Sequence, residues 1–190
     1  WKNMKKSGKG ESFAPDGTYC IGNWRKDNLH GRGLMINPEG IIYEGDWRNG
    51  NLEFGTVITS DDIYKGELHE GKKHGEGRIT LRDGRTYEGG WKDGKLHGKG
   101  KFCWPDGSVF IGEYVNDRKE GYGEYTWPDG RVYRGPWVNG LQHGEGVYIT
   151  SEGEKKKGVW EKGIIVQWHD EFVPSMNDLT EPSMEDIFIP

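Results

Sequence analysis

Gly98-Lys99-Gly100-Lys101-Phe102-Cys103-Trp104, then Pro105-Asp106-Gly107, then Ser108-Val109-Phe110-Ile111-Gly112-Glu113-Tyr114 reads as a strand, a turn and a second strand. Side chains alternate faces along a strand, so Gly98, Gly100, Phe102 and Trp104 share one face while Lys99, Lys101 and Cys103 take the other. On the second strand Phe110, Gly112 and Tyr114 point together. Asp-Gly between two alternating segments is a hairpin signal, because glycine takes the positive φ that a tight turn demands. Glycines interleaved with rings on one face leave bare backbone for a neighbouring ring to lie on.

The same unit recurs along the chain. Trp1, Trp24 and Trp47, then Leu68, Trp91, Tyr114, Trp137 and Trp160 follow one another at steps of 23 residues, except for 21 between Trp47 and Leu68. The turn returns as Asp16-Gly17, Glu39-Gly40, Asp83-Gly84, Asp129-Gly130 and Glu152-Gly153, and the ring-glycine-ring face as Tyr87-Gly89-Trp91 and Tyr133-Gly135-Trp137. Successive units are joined by short links such as Asp93-Gly94-Lys95-Leu96-His97-Gly98 and Asn139-Gly140-Leu141-Gln142-His143-Gly144. Short glycine-bearing links favour antiparallel neighbours. A period of this size marks an array whose units bury their apolar faces against one another. The expected fold is all-β: an elongated, single-layer, twisted antiparallel sheet of about seven hairpins.

Composition narrows the classes. Hydrophobic residues make up 32% of the chain and mean hydropathy is -0.90, thin for an ordinary core, yet 32 glycines and nine tryptophans supply another way to bury area. Each large ring removes roughly 150–250 Å² from water. Cys20 and Cys103 have no paired spacing, so neither a disulfide framework nor a zinc knuckle is indicated, and a reducing, intracellular compartment is the default. Which intracellular compartment, cytoplasmic or organelle-associated, is open. No signal-peptide pattern or long apolar run occurs. The chain opens at Trp1, inside a unit and without an initiator methionine, so it is expected to continue upstream. Net charge is -5, but Asp170, Glu171, Asp178, Glu181, Glu185 and Asp186 lie in a final stretch without Lys or Arg, leaving the array near neutral. A neutral array gives no reason to bind nucleic acid.

The signature Tyr-x-Gly-x-Trp followed by spaced glycines resembles the MORN (membrane occupation and recognition nexus) repeat. It is carried best by Tyr87, Gly89, Trp91, Gly94, Gly98 and Gly100, by Tyr133, Gly135, Trp137, Gly140, Gly144 and Gly146, and by Phe110, Gly112, Tyr114, Gly121 and Gly123. The resemblance implies the hairpin-array fold and no single activity. The array is placed at 1–167, with an irregular strand or bend near 51–63 where two residues are lost, and 168–190 is read as a C-terminal cap and acidic, proline-containing tail. That tail repeats itself, Pro174-Ser175-Met176-Asn177-Asp178-Leu179 and Pro182-Ser183-Met184-Glu185-Asp186-Ile187. A cap, a linker and a doubled binding motif all remain open for it.

Candidate sites are few. His30, His74, His97 and His143 all precede the same repeat glycine and are read as bonding the turn, not as metal ligands. Gly-Lys clusters lack the phosphate-loop pattern, and no nucleophile motif or distinctive carboxylate pair occurs, so the segment is expected to be non-enzymatic and to need no cofactor. Tyr87, Trp91, Phe110, Tyr114, Tyr133, Trp137 and Trp160 are assigned to the structure of the repeat. Phe102, Trp104, Tyr125, Trp127 and Tyr148 are assigned to a partner, because a single layer leaves such a face uncovered and Trp and Tyr are favoured anchors. The expected function is a scaffold or adaptor that takes an extended or helical segment of another protein along this face. Its alternatives are a regulatory or targeting domain of a larger enzyme, or a phospholipid-binding module using Lys2, Lys5, Lys6 and Lys9 or Lys155–Lys157. The sequence does not fix an oligomeric state.

Overall fold

A computed structural model describes residues 5–169, and every regular element in them is a β-strand. The chain divides into two compact units, one running to Lys95 and the other starting at Leu96. The first holds β1 (Gly8–Phe13), β2 (Tyr19–Arg25), β3 (Asn28–Ile36), β4 (Ile42–Arg48), β5 (Asn51–Ile58), β6 (Asp62–His69), β7 (Lys72–Leu81) and β8 (Thr86–Lys92). The second holds β9 (Lys95–Cys103), whose first residue marks the division, β10 (Val109–Val115), β11 (Arg118–Thr126), β12 (Val132–Val138), β13 (Leu141–Gln142), β14 (Gly144–Ile149), β15 (Lys155–Glu161) and β16 (Ile164–Trp168). Within each unit the strands pair antiparallel in chain order, except that β13 and β14 both pair with β12, and the first strand does not close on the last. The described residues thus form four hairpins in the first unit, and three plus β16 in the second.

Two kinds of turn alternate, and the tighter is not the one at Asp106-Gly107 and its equivalents. At Asp106-Gly107 the loop closes by a pair of backbone bonds: Trp104 N–H donates to Ser108 O at 2.9 Å and Gly107 N–H donates to Trp104 O at 3.1 Å. Proline at the second position presets φ, Asp106 Oδ1 accepts from Ser108 N–H at 2.8 Å, and Gly107 takes φ +93°. The two-residue turns lie instead in the links, where both central residues have positive φ: Asp93 (+51°) with Gly94 (+84°), and Asn139 (+51°) with Gly140 (+84°). That backbone matches the right-handed twist of the flanking strands. Leu96-His97-Gly98 is already strand, and in the later link only His143 interrupts the strand residues that follow the turn.

The buried face is built from rings lying on glycine backbone. Tyr64, Tyr87, Phe110 and Tyr133 are 0% exposed. A methyl group placed on Gly123 would come within 2.6 Å of Phe110 Cζ, one on Gly77 within 2.6 Å of Tyr64 Cζ, and one on Gly146 within 2.7 Å of Tyr133 Cε2. Each of those glycines belongs to a strand that follows the ring's own in the chain and pairs with it. The polar ends of the rings are satisfied by backbone that the pattern leaves open. The indole N–H groups of Trp47, Trp91 and Trp137 donate to the carbonyls of Gly33, Gly77 and Gly123 at 2.9, 3.0 and 3.2 Å. Tyr64, Tyr87 and Tyr133 donate their hydroxyls to the carbonyls of Glu67, Gly90 and Pro136 at 2.6, 2.9 and 3.0 Å. A buried Tyr or Trp keeps its stability gain when its polar tip finds such a partner.

The two residues missing between Trp47 and Leu68 are lost in two places, and β5 runs as one strand. In β2–β3 the pairing shifts by two residues between Gly22↔Gly33 and Trp24↔Leu29, a bulge that includes Gly31 at φ +82°. In β4–β5 the shift between Asp46↔Phe54 and Trp47↔Leu52 is one residue, so the bulge is one shorter. The β5–β6 loop, closed by Ile58↔Ile63, is also one residue shorter than the β3–β4 loop closed by Ile36↔Ile42. The ring face stays in register across the deficit, with Leu68 buried where the other repeats place Trp or Tyr. The last boundary also moves: Trp168 closes β16, opposite Gly158, and is not the first residue of a cap. Residues 170–190, with the proposed remainder of the cap and the doubled tail motif, lie outside the described residues, as do Trp1 and Lys2.

Candidate functional site

In the second unit the five rings assigned to a partner come together in a line. Phe102 and Trp104 have centroids 4.4 Å apart, Trp104 and Tyr125 5.7 Å, Tyr125 and Trp127 4.9 Å, and Trp127 and Tyr148 6.1 Å. Trp168 continues the line at 6.0 Å from Tyr148. Sequence reasoning did not single out Trp168, because it falls outside the 23-residue schedule that located the other rings. All five assigned rings are half-buried, and Trp168 is 43% exposed. The rings assigned to the repeat, Tyr87, Trp91, Phe110, Tyr114, Tyr133, Trp137 and Trp160, are all buried. Trp104 and Trp127 are not strand residues, as the alternation alone suggested. Each opens a loop one step beyond the last strand pair, leaving part of its ring uncovered.

A lysine lies inside this line. Lys119 Nζ sits 4.5 Å from the centroid of Tyr125, 4.6 Å from Phe110, 4.7 Å from Trp137 and 5.1 Å from Trp104. Four ring faces around one ammonium supply cation–π attraction, which strengthens as water is removed. Burial also pushes the Lys119 ammonium down to a pKa of about 8. Two units earlier, 46 residues back, Lys73 Nζ lies 5.2 Å from the Trp91 centroid and 5.5 Å from Tyr64. Lys6 Nζ lies 4.7 Å over Trp24, so it covers a ring and is not part of a free basic edge. Buried Leu29 and Leu52 hold the same repeat position. A leucine or a lysine stem can cover the repeat tryptophan there, and only the lysine brings charge to the ring face.

The histidines divide. His74 Nδ1 accepts from Asp93 N–H at 3.5 Å, the long limit of a bond, and faces the Asp93 carboxylate at 3.9 Å. Nδ1 of His30 and of His97 is buried without a partner, so a turn-bonding role does not extend to those atoms. Among the described residues no group of three His, Cys, Asp or Glu is placed to hold a metal ion, and no helix is long and apolar enough to cross a membrane.

A profile of the MORN repeat matches residues 20–41, 43–53, 64–84, 87–109, 110–130 and 133–155. Among curated proteins none matches the chain in sequence. Among solved structures, the TCP domain of SAS-4 (dCPAP) of Drosophila melanogaster, in complex with a proline-rich motif of Ana2 (dSTIL), is similar at a TM-score of 0.52 and 14% identity, over 85% of this chain and 93% of that one. The TCP10c domain of Drosophila melanogaster Sas-4 scores 0.47 at 14% identity, over 81% and 93%.

Proposed function

The chain belongs to the MORN-repeat family, and from that premise we propose that it is a non-catalytic scaffold or adaptor whose second unit takes an extended, proline-bearing segment of another protein along its line of rings. The observation that carries this is the ladder Phe102–Trp104–Tyr125–Trp127–Tyr148–Trp168, half-exposed and continuous at 4.4–6.1 Å between ring centroids. Aromatic grooves of this kind dock polyproline II segments, whose stiffness reduces the entropy lost on binding.

The spacing favours that ligand over a helix. Trp104 and Trp127 open equivalent loops two strands apart, which at the usual strand separation is about 9.6 Å. One turn of polyproline II, three residues, rises about 9.3 Å. Every third residue of such a segment therefore meets an equivalent place on the next hairpin. A helix advances about 5.4 Å per turn and falls out of step. The domain of SAS-4 that shares this fold was solved with a proline-rich motif, which supports the same class of ligand here. Free Cys20 and Cys103 fit an intracellular setting.

The test is binding of a panel of fluorescent proline-rich peptides to the chain and to Trp104→Ala/Trp127→Ala. The double variant keeps its circular dichroism and thermal transition and loses affinity on the order of a hundredfold, since each anchoring ring contributes about 1–2 kcal/mol or more. Unchanged affinity in a folded double variant overturns the reading.

A further inference from the structure

Lys73 and Lys119 occupy the same repeat position but not the same electrostatic setting. Lys73 Nζ has the Asp62 carboxylate 3.6 Å away, and both side chains are largely shielded from water. The residue eleven places before Lys119, equivalent to Asp62, is Ser108, which is 2% exposed. Among the described residues no carboxylate lies within ion-pair distance of Lys119 Nζ, and its surroundings there are four rings. Ring faces attract an ammonium but do not replace a hydrogen-bond acceptor, and an ammonium carries three donors. A shielded cation without an anion is costly, and one well-placed carboxylate offsets that cost. The second unit therefore keeps the cation and the cage of the first and lacks the anion.

We infer that Lys119 reads a carboxylate on the docked segment, so that the partner is a proline-bearing segment with an Asp or Glu at the residue that passes between Trp104 and Tyr125. This rests on the docking reading above and adds to it a charge and a position. The partner's carboxylate fills beside Lys119 the role that Asp62 fills beside Lys73. Rings on either side of the cation seat the flanking apolar residues and keep water from the pair. Specificity follows from the pairing: a segment with Gln or Lys at that residue leaves the ammonium unpaired or faces it with like charge.

The experiment is a peptide array on a proline-rich scaffold in which each position in turn is Asp, Glu, Asn, Gln or Lys, probed with the chain, with Lys119→Met, with Lys119→Arg and with Trp104→Ala/Trp127→Ala. The chain is expected to prefer Glu or Asp over the isosteric amide by roughly tenfold at one position, Lys119→Arg to keep the preference, and Lys119→Met to lose it while still binding through the rings. Ser108→Asp supplies an internal carboxylate and should also abolish the preference; if that variant does not fold, Lys119→Met alone decides. Ring-dependent binding that is blind to Glu against Gln, or a preference that survives in Lys119→Met, overturns the inference and leaves the docking reading standing. An array in which no peptide depends on Trp104 and Trp127 overturns both.

Discussion

Gly123→Ala separates an array held by rings on bare backbone from a sheet held by strand pairing alone. Gly123 does not have a left-handed φ, so alanine is compatible with its backbone and is opposed only by its neighbours. The added methyl would meet Phe110 Cζ at 2.6 Å, Phe110 Cε2 at 2.7 Å and the Ile111 carbonyl at 3.2 Å. Phe110 is 0% exposed and cannot swing aside cheaply, since Tyr114 and Trp137 pack edge-on against it at 5.4 and 5.1 Å. Overpacking of this kind costs about 2–3 kcal/mol, which for a unit of this size lowers the thermal midpoint by on the order of 10 °C or more. Gly10 provides the control. It holds the same repeat position, its φ is also outside the left-handed region, and no described atom lies within 4 Å of its added methyl. Gly10→Ala is therefore expected to fall within about 0.5 kcal/mol of the parent. Urea unfolding followed by tryptophan fluorescence and circular dichroism measures both, and Phe110→Leu in the Gly123→Ala background should recover part of the loss through a favourable coupling of about 1 kcal/mol. If Gly123→Ala costs no more than Gly10→Ala, or if Phe110→Leu brings no relief, rings seated on glycine do not hold this fold.

Trp91→Phe removes the 3.0 Å bond to the Gly77 carbonyl in a buried setting and should cost about 1–2 kcal/mol. Trp24→Phe, which removes the equivalent 3.0 Å bond to Gly10 from a half-exposed ring, should cost visibly less in the same unfolding assay. Lys119 leads to a pH effect: its folded pKa of about 8 lies below its ordinary value of 10.5, so between those values the unfolded chain holds a proton that the folded chain has released. Stability of the parent relative to Lys119→Met should therefore rise from pH 8 to pH 10, with the burial penalty fully present below pH 8. Using the difference cancels the buried tyrosines Tyr64 and Tyr133, whose raised values pull the other way; a flat difference across that range would refute the assignment.

Much of the molecule is legible from residues 98–114 alone. Alternation with period two assigns Phe102 and Gly100 to one face and Lys101 to the other, and the structure pairs Phe102 with Phe110 and Gly100 with Gly112 on the ring face. Turn chemistry was legible in kind but not in place. Asp106-Gly107 closes a loop that starts at Trp104, while the two-residue turn falls at Asp93-Gly94. The charged centre of the ring ladder was not legible. Lys119 looks in sequence like one more polar link residue, and only its place beside Tyr125, Phe110 and Trp137, on its own strand and both neighbouring ones, makes it a caged cation. Trp168 was missed for a related reason, since a one-residue register shift in β15–β16 takes it off the repeat schedule and onto the face of Tyr148.

By itself the sequence determined the strand-turn-strand unit, its repetition and which rings are seated on glycine, because side-chain alternation and glycine's open backbone are local properties of a few consecutive residues. Tertiary structure alone decided which rings stay half-exposed, how the two-residue deficit near 51–63 is divided between a bulge and a loop, and that Lys119 lies among four rings. Those outcomes depend on register between strands, and a bulge of one or two residues shifts a side chain along its neighbour by about 3–7 Å, enough to change which ring it meets.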